Sequence, residues 1–403
     1  MPVRGLVFLM VISSAWPQAA TLLEKADAAF RAGDLAQART LAQRVLVQDP
    51  RSVHAHLMLG VIGAQNKQWL TSIRHFQTVV RLDPPNPHGY FYLGQASLHR
   101  QQWNEAIQYF TKAADRHYPD RERLAIQLAL AHNEAGRPRQ ALDTLGSVSA
   151  PATGPMGAQY HAVAAFAYAR LNEPLKALEA MARARERDET NTQYWEFLIS
   201  TLMSMDQTPA ALAEAIRAQK KFPDNPDIQF LFGLASYYVA ESPFTRLALR
   251  NLRESEPGGA RVLLVEGLHA RKQGHNEEAL RVFRAAASRG IPDAHLLLGI
   301  LARETGDHQT AEKELKEAER LNPQNGQVMV ELGKLLLSRD EIEEARIRLE
   351  KASEAMPRSP AVHYQLGLTY RKLGNAEKAQ HHLKLSRELE AEQARFSLSR
   401  YQP

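Results

Sequence analysis

The sequence predicts an all-α fold, a solenoid of stacked helical hairpins, on three observations. A two-helix pattern recurs along most of the 403 residues at spacings of 32 to 36, usually 34. Glycine or alanine returns in phase at the eighth position of the pattern and alanine at the twentieth. Prolines close many of the copies, at Pro50, Pro84, Pro223, Pro257, Pro323 and Pro357. The stretch from Pro292 to Pro323 shows the pattern most cleanly, with two amphipathic helical periods around a turn at Gly306 and Asp307. One such hairpin buries little by itself, so copies must stack to make a continuous core.

In chain order, residues 1–19 read as a secretory signal. A basic start at Arg4 is followed by an uncharged apolar run, Gly5 to Trp16, too short to span a bilayer comfortably, and then by small residues at Ala19 and Ala20. The expected location is therefore exported, periplasmic or secreted; the alternative is anchoring through an uncleaved N-terminal segment. No other stretch is apolar enough to cross a membrane. Eleven copies follow, starting near Ala19, Val53, Pro87, Glu122, Ala158, Thr192, Pro226, Ala260, Pro292, Gly326 and Pro360. The first four occupy 20–148. Residues 149–157 form a Pro/Gly-rich connection that reads as a hinge or a surface insertion. Copies five to eleven occupy 158–386, and the charged 387–403 stretch continues as a capping helix and tail.

Within the copies, Gly60, Gly94, Gly233, Gly267, Gly299, Gly333 and Gly367 stand at the eighth position. Ala38, Ala106, Ala141, Ala177, Ala211, Ala279, Ala311, Ala345 and Ala379 stand at the twentieth. Minimal side chains there let two helices approach closely. Phe76, Phe110 and Phe283 at the twenty-fourth position, Tyr90 and Trp195 at the fourth, and leucines at the seventh fill the space around them. Ser72 and Thr245 at the twentieth position, Ile199 at the eighth and Glu266 at the seventh depart from the pattern.

Composition narrows the function classes. A net charge of +5 from 50 basic and 45 acidic residues, without charged blocks, gives no case for nucleic-acid binding. The absence of cysteine removes disulfides, thiolate metal sites and cysteine nucleophiles. HExxH, GxSxG, GxxxxGK and GxGxxG motifs are absent. The pairs His54/His56 and His381/His382 do not share a helix face. Glu266 and His269 do, but the second pair and further carboxylates of a di-iron site are missing. The sequence thus offers no catalytic, cofactor or metal site.

The phased positions resemble the tetratricopeptide repeat, over nearly all of the chain from Ala19 to about Gln393. The resemblance implies a right-handed superhelix with first helices on the concave side, a non-enzymatic scaffold role, and protein segments as ligands held by positions 2, 5, 9, 12 and 13 of the first helices. Carried over, those positions give an apolar middle of Phe91, Phe166, Phe230, Leu234, Tyr237 and Tyr238. They also give a basic C-terminal part of Arg261, Arg271, Lys272, Arg303, Lys334, Arg371 and Lys372, opposed by Asp293 and Glu304. The expected partner is an extended or helical protein segment of acidic or apolar character. Position 5 carries no basic residue from Leu23 to Tyr364, which rejects the family's clamp for chaperone tails. Alternative roles are an accessory subunit of an enzyme or of a polysaccharide-export system, or a self-associating array.

Overall fold

The computed structural model describes residues 17–205, 207–238 and 243–400, with side chains for all of these except Pro17, Tyr238 and 393–400. The described residues form α-helices joined by short turns, and the chain divides into two compact units, Met1–Leu171 and Asn172–Pro403.

The first unit holds four hairpins and one further helix. These are α1 (Pro17–Arg31) with α2 (Leu35–Gln48), α3 (Val53–Gln65) with α4 (Trp69–Leu82), α5 (Pro87–His99) with α6 (Trp103–Asp115), α7 (Arg121–Glu134) with α8 (Pro138–Gly146), and α9 (Gly154–Arg170). The second unit opens on α10 (Pro174–Arg187). Six hairpins follow: α11 (Thr192–Ser204) with α12 (Thr208–Lys221), α13 (Pro226–Tyr238) with α14 (Pro243–Ser255), α15 (Ala260–Lys272) with α16 (Asn276–Ala287), α17 (Pro292–Glu304) with α18 (His308–Leu321), α19 (Gly326–Ser338) with α20 (Ile342–Ala355), and α21 (Pro360–Lys372) with α22 (Ala376–Arg400). The 22 helices described follow the expected phase closely.

Local chemistry sets these boundaries. Proline opens α5, α17 and α21, where a missing N–H costs nothing. Asp34, Ser52, Asp120, Asn325 and Asp307 cap helix starts by accepting backbone N–H bonds; Asp307 Oδ1 takes that of Thr310 at 3.0 Å. The hairpin turn places its fifteenth residue in the left-handed region wherever that position is described. Gly33, Gly136, Gly274, Gly306 and Gly374 take it without strain, whereas Lys67, Gln101, Asn172 and Asp340 adopt φ of 59 to 62° despite a Cβ.

The small residues face inward, as the pattern requires. A Cβ added to Gly60, Gly94 or Gly267 would lie 2.3, 2.6 or 2.4 Å from the ring of Phe76, Phe110 or Phe283 of the same hairpin. At Gly299, Gly333 and Gly367 the obstacle is Leu315, Leu349 or Leu383. The alanines at position 20 from Ala38 to Ala345 are fully buried, and Ala379 nearly so. Departures are compensated locally. Ser72 is buried with its hydroxyl donated to the Gln68 carbonyl, and the room it needs is left by Gly63, where a Cβ would meet Ser72 Oγ at 2.6 Å. Thr245 bonds Ser236 at 2.8 Å from the equivalent place.

Within each unit, every first helix packs against its own second helix and against the second helix before it. The cores are thus strings of clusters: Ala26–Ile62, then Leu57–Ala131, in the first unit, and clusters centred on Leu252, Phe283, Leu315 and Leu366 in the second.

One expected boundary shifts. The 149–157 connection is shorter, because Gly154, with φ +74°, and Pro155 start α9; the non-helical link covers 147–153. The cap beyond residue 387 is one helix with the last second helix, α22, in which Leu389 is buried and Glu392 pairs with Arg358 at 2.6 Å. Most of the 1–19 stretch lies outside the described residues; Pro17 to Ala20 form the first turn of α1, with Ala19 buried.

Candidate partner-binding face

The thirteen residues selected from the repeat pattern do not make one surface. Phe91 is buried to 1% in the core of the first unit, stacked on Tyr118 at 4.3 Å and tilted against Phe110, so it cannot reach a ligand. Its position-5 neighbours Leu57 and Ile126 are equally buried: in these units the side chain at that position turns between helices. Phe166 is 41% exposed on α9 and belongs to the first unit.

In the second unit, Phe230, Leu234 and Tyr237 lie along α13 at spacings of four and three, which aligns them on one helix face. All three are half-buried against the cluster around Leu264, Leu268 and Phe283, and Phe230 also touches that around Leu249 and Val265. They therefore tie α13 to the next hairpin while keeping part of their surface in water. The Tyr238 side chain lies outside the described residues. Lys272 of α15 sits over the Tyr237 ring at 5.5 Å and donates to the Tyr237 carbonyl, extending the row by a cation.

The basic stripe is largely neutralised. Arg261 bridges Asp227 of α13 and Glu256, the latter at 2.7 Å. Arg271 grips both oxygens of Glu304 at 2.7 Å. Glu331, 2% exposed on α19, takes Arg303 at 3.1 Å and Lys334 at 2.7 Å, and accepts from Gln327 at 3.3 Å. Lys372 lies 3.8 Å from Asp340, while Arg371 is exposed and has no ion pair among the described residues. The pattern reading weighed Asp293 and Glu304 against seven cations and overlooked Asp227 and Glu331. Asp227 and Arg261 both occupy position 2 of successive units, 34 residues apart, which was the available signal. Glu331 occupies position 6, normally turned into the stack, so its pairing had no counterpart in the pattern.

Sequence reading also left out Tyr364. It is 48% exposed on α21 and shares a face with half-buried Leu368 and exposed Arg371. Among the described residues no cluster of three or more His, Asp or Glu side chains is arranged to hold a metal ion, and no helix is long and apolar enough to cross a membrane.

The sequence profile described as tetratricopeptide repeat matches residues 23–87, 68–122 and 264–326; further profiles of the same description match 123–147, 302–363 and 360–392. Together these cover more than half of the chain. The chain belongs to the tetratricopeptide repeat family. A tetratricopeptide repeat protein from Parabacteroides merdae shares 16% identity at a TM-score of 0.52, over 62% of this chain and 99% of that one, and supports the fold. The APC/C hetero-tetramer Cut9–Hcn1 matches at 13% identity and a TM-score of 0.47, over 95% of this chain and 89% of that one. Yeast Tom70 matches at 11% and 0.40, over 94% and 95%. No curated protein matches the chain in sequence. Tetratricopeptide arrays are in general non-catalytic scaffolds, and the fold of this one points to protein–protein interaction.

Proposed function

We propose that this tetratricopeptide array is a scaffold that holds a segment of a partner protein against the first helices of its second unit, within an exported or envelope-associated complex. The observation that carries the reading is the α13 row of Phe230, Leu234 and Tyr237, half-exposed and flanked by Lys272. Half-buried aromatic and aliphatic groups held rigid by their own core supply contact area at little entropic cost. The neighbouring cations, already paired with Asp227, Glu304 and Glu331, contribute little net attraction for an acidic ligand. The partner segment is therefore apolar first, with an acidic group directed to Arg371. Shallow contacts repeated along several first helices add up without a deep pocket.

The experiment is an affinity capture from extract of the source cells, with full-length chain against Leu234→Arg and against Leu70→Arg, an exposed position on a second helix. A protein retained by wild type and Leu70→Arg and lost with Leu234→Arg supports the reading, provided the variants match wild type in helical content and urea midpoint. Equal recovery by all three, or a second copy of the chain as sole product, contradicts it. Amino-terminal sequencing of the protein made in its own cells tests export: a mature start in the 17–20 region is expected, and an intact Met1 in the soluble cytoplasmic fraction contradicts it.

A further inference from the structure

In four of the repeats the side chain at position 4 bonds the carbonyl six residues before it, at the end of the preceding repeat. In the sixth and seventh units the group there is an obligate donor: Trp195 Nε1 gives its proton to the Glu189 carbonyl at 3.1 Å, and Gln229 Nε2 to that of Pro223 at 2.8 Å. In the second and eleventh repeats histidine takes that place. His56 Nε2 lies 3.2 Å from the Pro50 carbonyl, and His363 Nε2 lies 2.8 Å from that of Pro357. A carbonyl oxygen accepts, so Nε2 of both rings carries the proton, and in the neutral ring Nδ1 is bare.

That bare Nδ1 faces the Nδ1 of a second histidine, at position 23 of the same hairpin. His56 meets His75 at 2.9 Å and His363 meets His382 at 3.2 Å. One of two facing nitrogens must donate, so His75 and His382 hold their protons on Nδ1. The His363 and His382 planes differ by only 16° with centroids 5.4 Å apart, an edge-to-edge meeting suited to N–H···N bonding. Each pair thus joins three segments: the end of the previous unit, a first helix and a second helix.

The proton count decides what acid does. One added proton goes to Nε2 of His75 or His382 and leaves the N–H···N bond intact. A second has only the shared edge to occupy, and two N–H groups then face each other. We infer that the His56–His75 and His363–His382 pairs are acid-opened latches, closing the α3–α4 and α21–α22 hairpins while at most one ring of each pair is charged.

The surroundings agree. His382 is touched by His381, with centroids at 5.2 Å, and by Tyr370 at 5.6 Å. The anion nearby, Glu350, is already held by the Tyr370 hydroxyl and by Arg346 at 2.6 Å, and Lys378 lies over the Tyr370 ring at 5.0 Å. Burial first, then His363 and His381, push His382 down to about 4, and Lys378 acts in the same direction against Glu350. Burial, then His56, lower His75. Along the chain Asp49 and Arg51 flank Pro50, Arg74 precedes His75, and His54, two residues before His56, holds Asp27 at 2.8 Å. Both position-23 rings lie below the ordinary 6.5, so the folded chain binds fewer protons than the unfolded one. Both latches are fully stabilising above about pH 6.5 and weaken as pH falls below it, that of His382 towards about 4. At the same two positions of the ninth repeat the ring faces a carboxylate in place of a second ring: His295 Nδ1 meets Glu314 at 2.7 Å.

The test uses the full-length chain with ¹⁵N-labelled histidine, wild type and His382→Asn, whose amide takes no proton. Ring ¹⁵N shifts at neutral pH should report Nε2–H for His363 and Nδ1–H for His382. Amide exchange, corrected for intrinsic rates, should show protection of α21 falling roughly tenfold or more relative to α17 between about pH 7.5 and about pH 4.5, with that relative fall absent in His382→Asn. Equal loss in α17 and α21, an undiminished fall in His382→Asn, or Nε2–H shifts on both rings would each overturn the proposal. The ring shifts decide it in wild type even if the variant fails to fold.

Discussion

Substituting Gly267 by alanine asks whether hairpin closure depends on a missing side chain. The new methyl carbon would sit 2.4 Å from Phe283 Cε1 and 2.6 Å from Cδ1, well inside any tolerated contact, and Phe283 is fully buried. Overpacking of this kind costs about 1–3 kcal/mol. Alanine returns about 0.5–1 kcal/mol of helix propensity at an interior position, so the expected net is a loss of up to about 2.5 kcal/mol. Gly233 supplies the control at the same position of the previous hairpin. Its added methyl would meet Val265 at 3.1 Å and Ala248 at 3.5 Å, so crowding and propensity nearly cancel and Gly233→Ala should change stability by less than about 0.5 kcal/mol. Because long repeat arrays depart from two-state unfolding, the readout is amide exchange protection of α15 and α16 alongside the urea midpoint. Gly267→Ala at or above wild-type protection would refute the close approach, as would equal losses at both glycines.

Removing the strained turn residue at Gln101 by Gln101→Gly should raise stability by about 1 kcal/mol, whereas Gly306→Ala should lower it by about 1–2 kcal/mol, both read from urea midpoints. Glu331→Gln leaves Arg303 and Lys334 without their shared carboxylate and should cost about 1–3 kcal/mol, seen as lost protection in α19; Glu304→Gln, more exposed, should cost less. Glu312, held down to about 2 by Lys316 and Arg339, should titrate there by carboxyl NMR and move back towards the ordinary range in Arg339→Gln. As a depressed carboxylate it stabilises above pH 4.5 and loses that contribution as pH falls towards 2, by an amount that solvent screening keeps small.

The fold was legible because close helix approach needs tiny residues at fixed places, and those places can be counted along a sequence. Gly60, Gly94 and Gly267 stand against Phe76, Phe110 and Phe283, a pairing of positions 8 and 24 that the spacing alone implies. Where a departure occurred, as at Ser72, the compensation lay at Gly63, a contact the repeat pattern does not number. The face was less legible for two reasons. Whether a first-helix side chain points outward or into the next hairpin depends on stacking angles, which moved Phe91 into the core and left Tyr364 in water. Charge counting treated cations singly, while the fold sets Arg261 against Asp227 and Arg303 against Glu331 across neighbouring units. The histidine pairs escaped because each was sought along one helix, whereas His363 meets His382 between two.

The most direct measurement is site-specific photo-crosslinking of the full-length protein in its own cells. A photoreactive residue placed at Leu234 on α13 should join the chain to a distinct partner protein, and the same residue at Leu70 on α4 should not. Crosslinking from Leu70 with none from Leu234 would contradict a partner face on the first helices of the second unit.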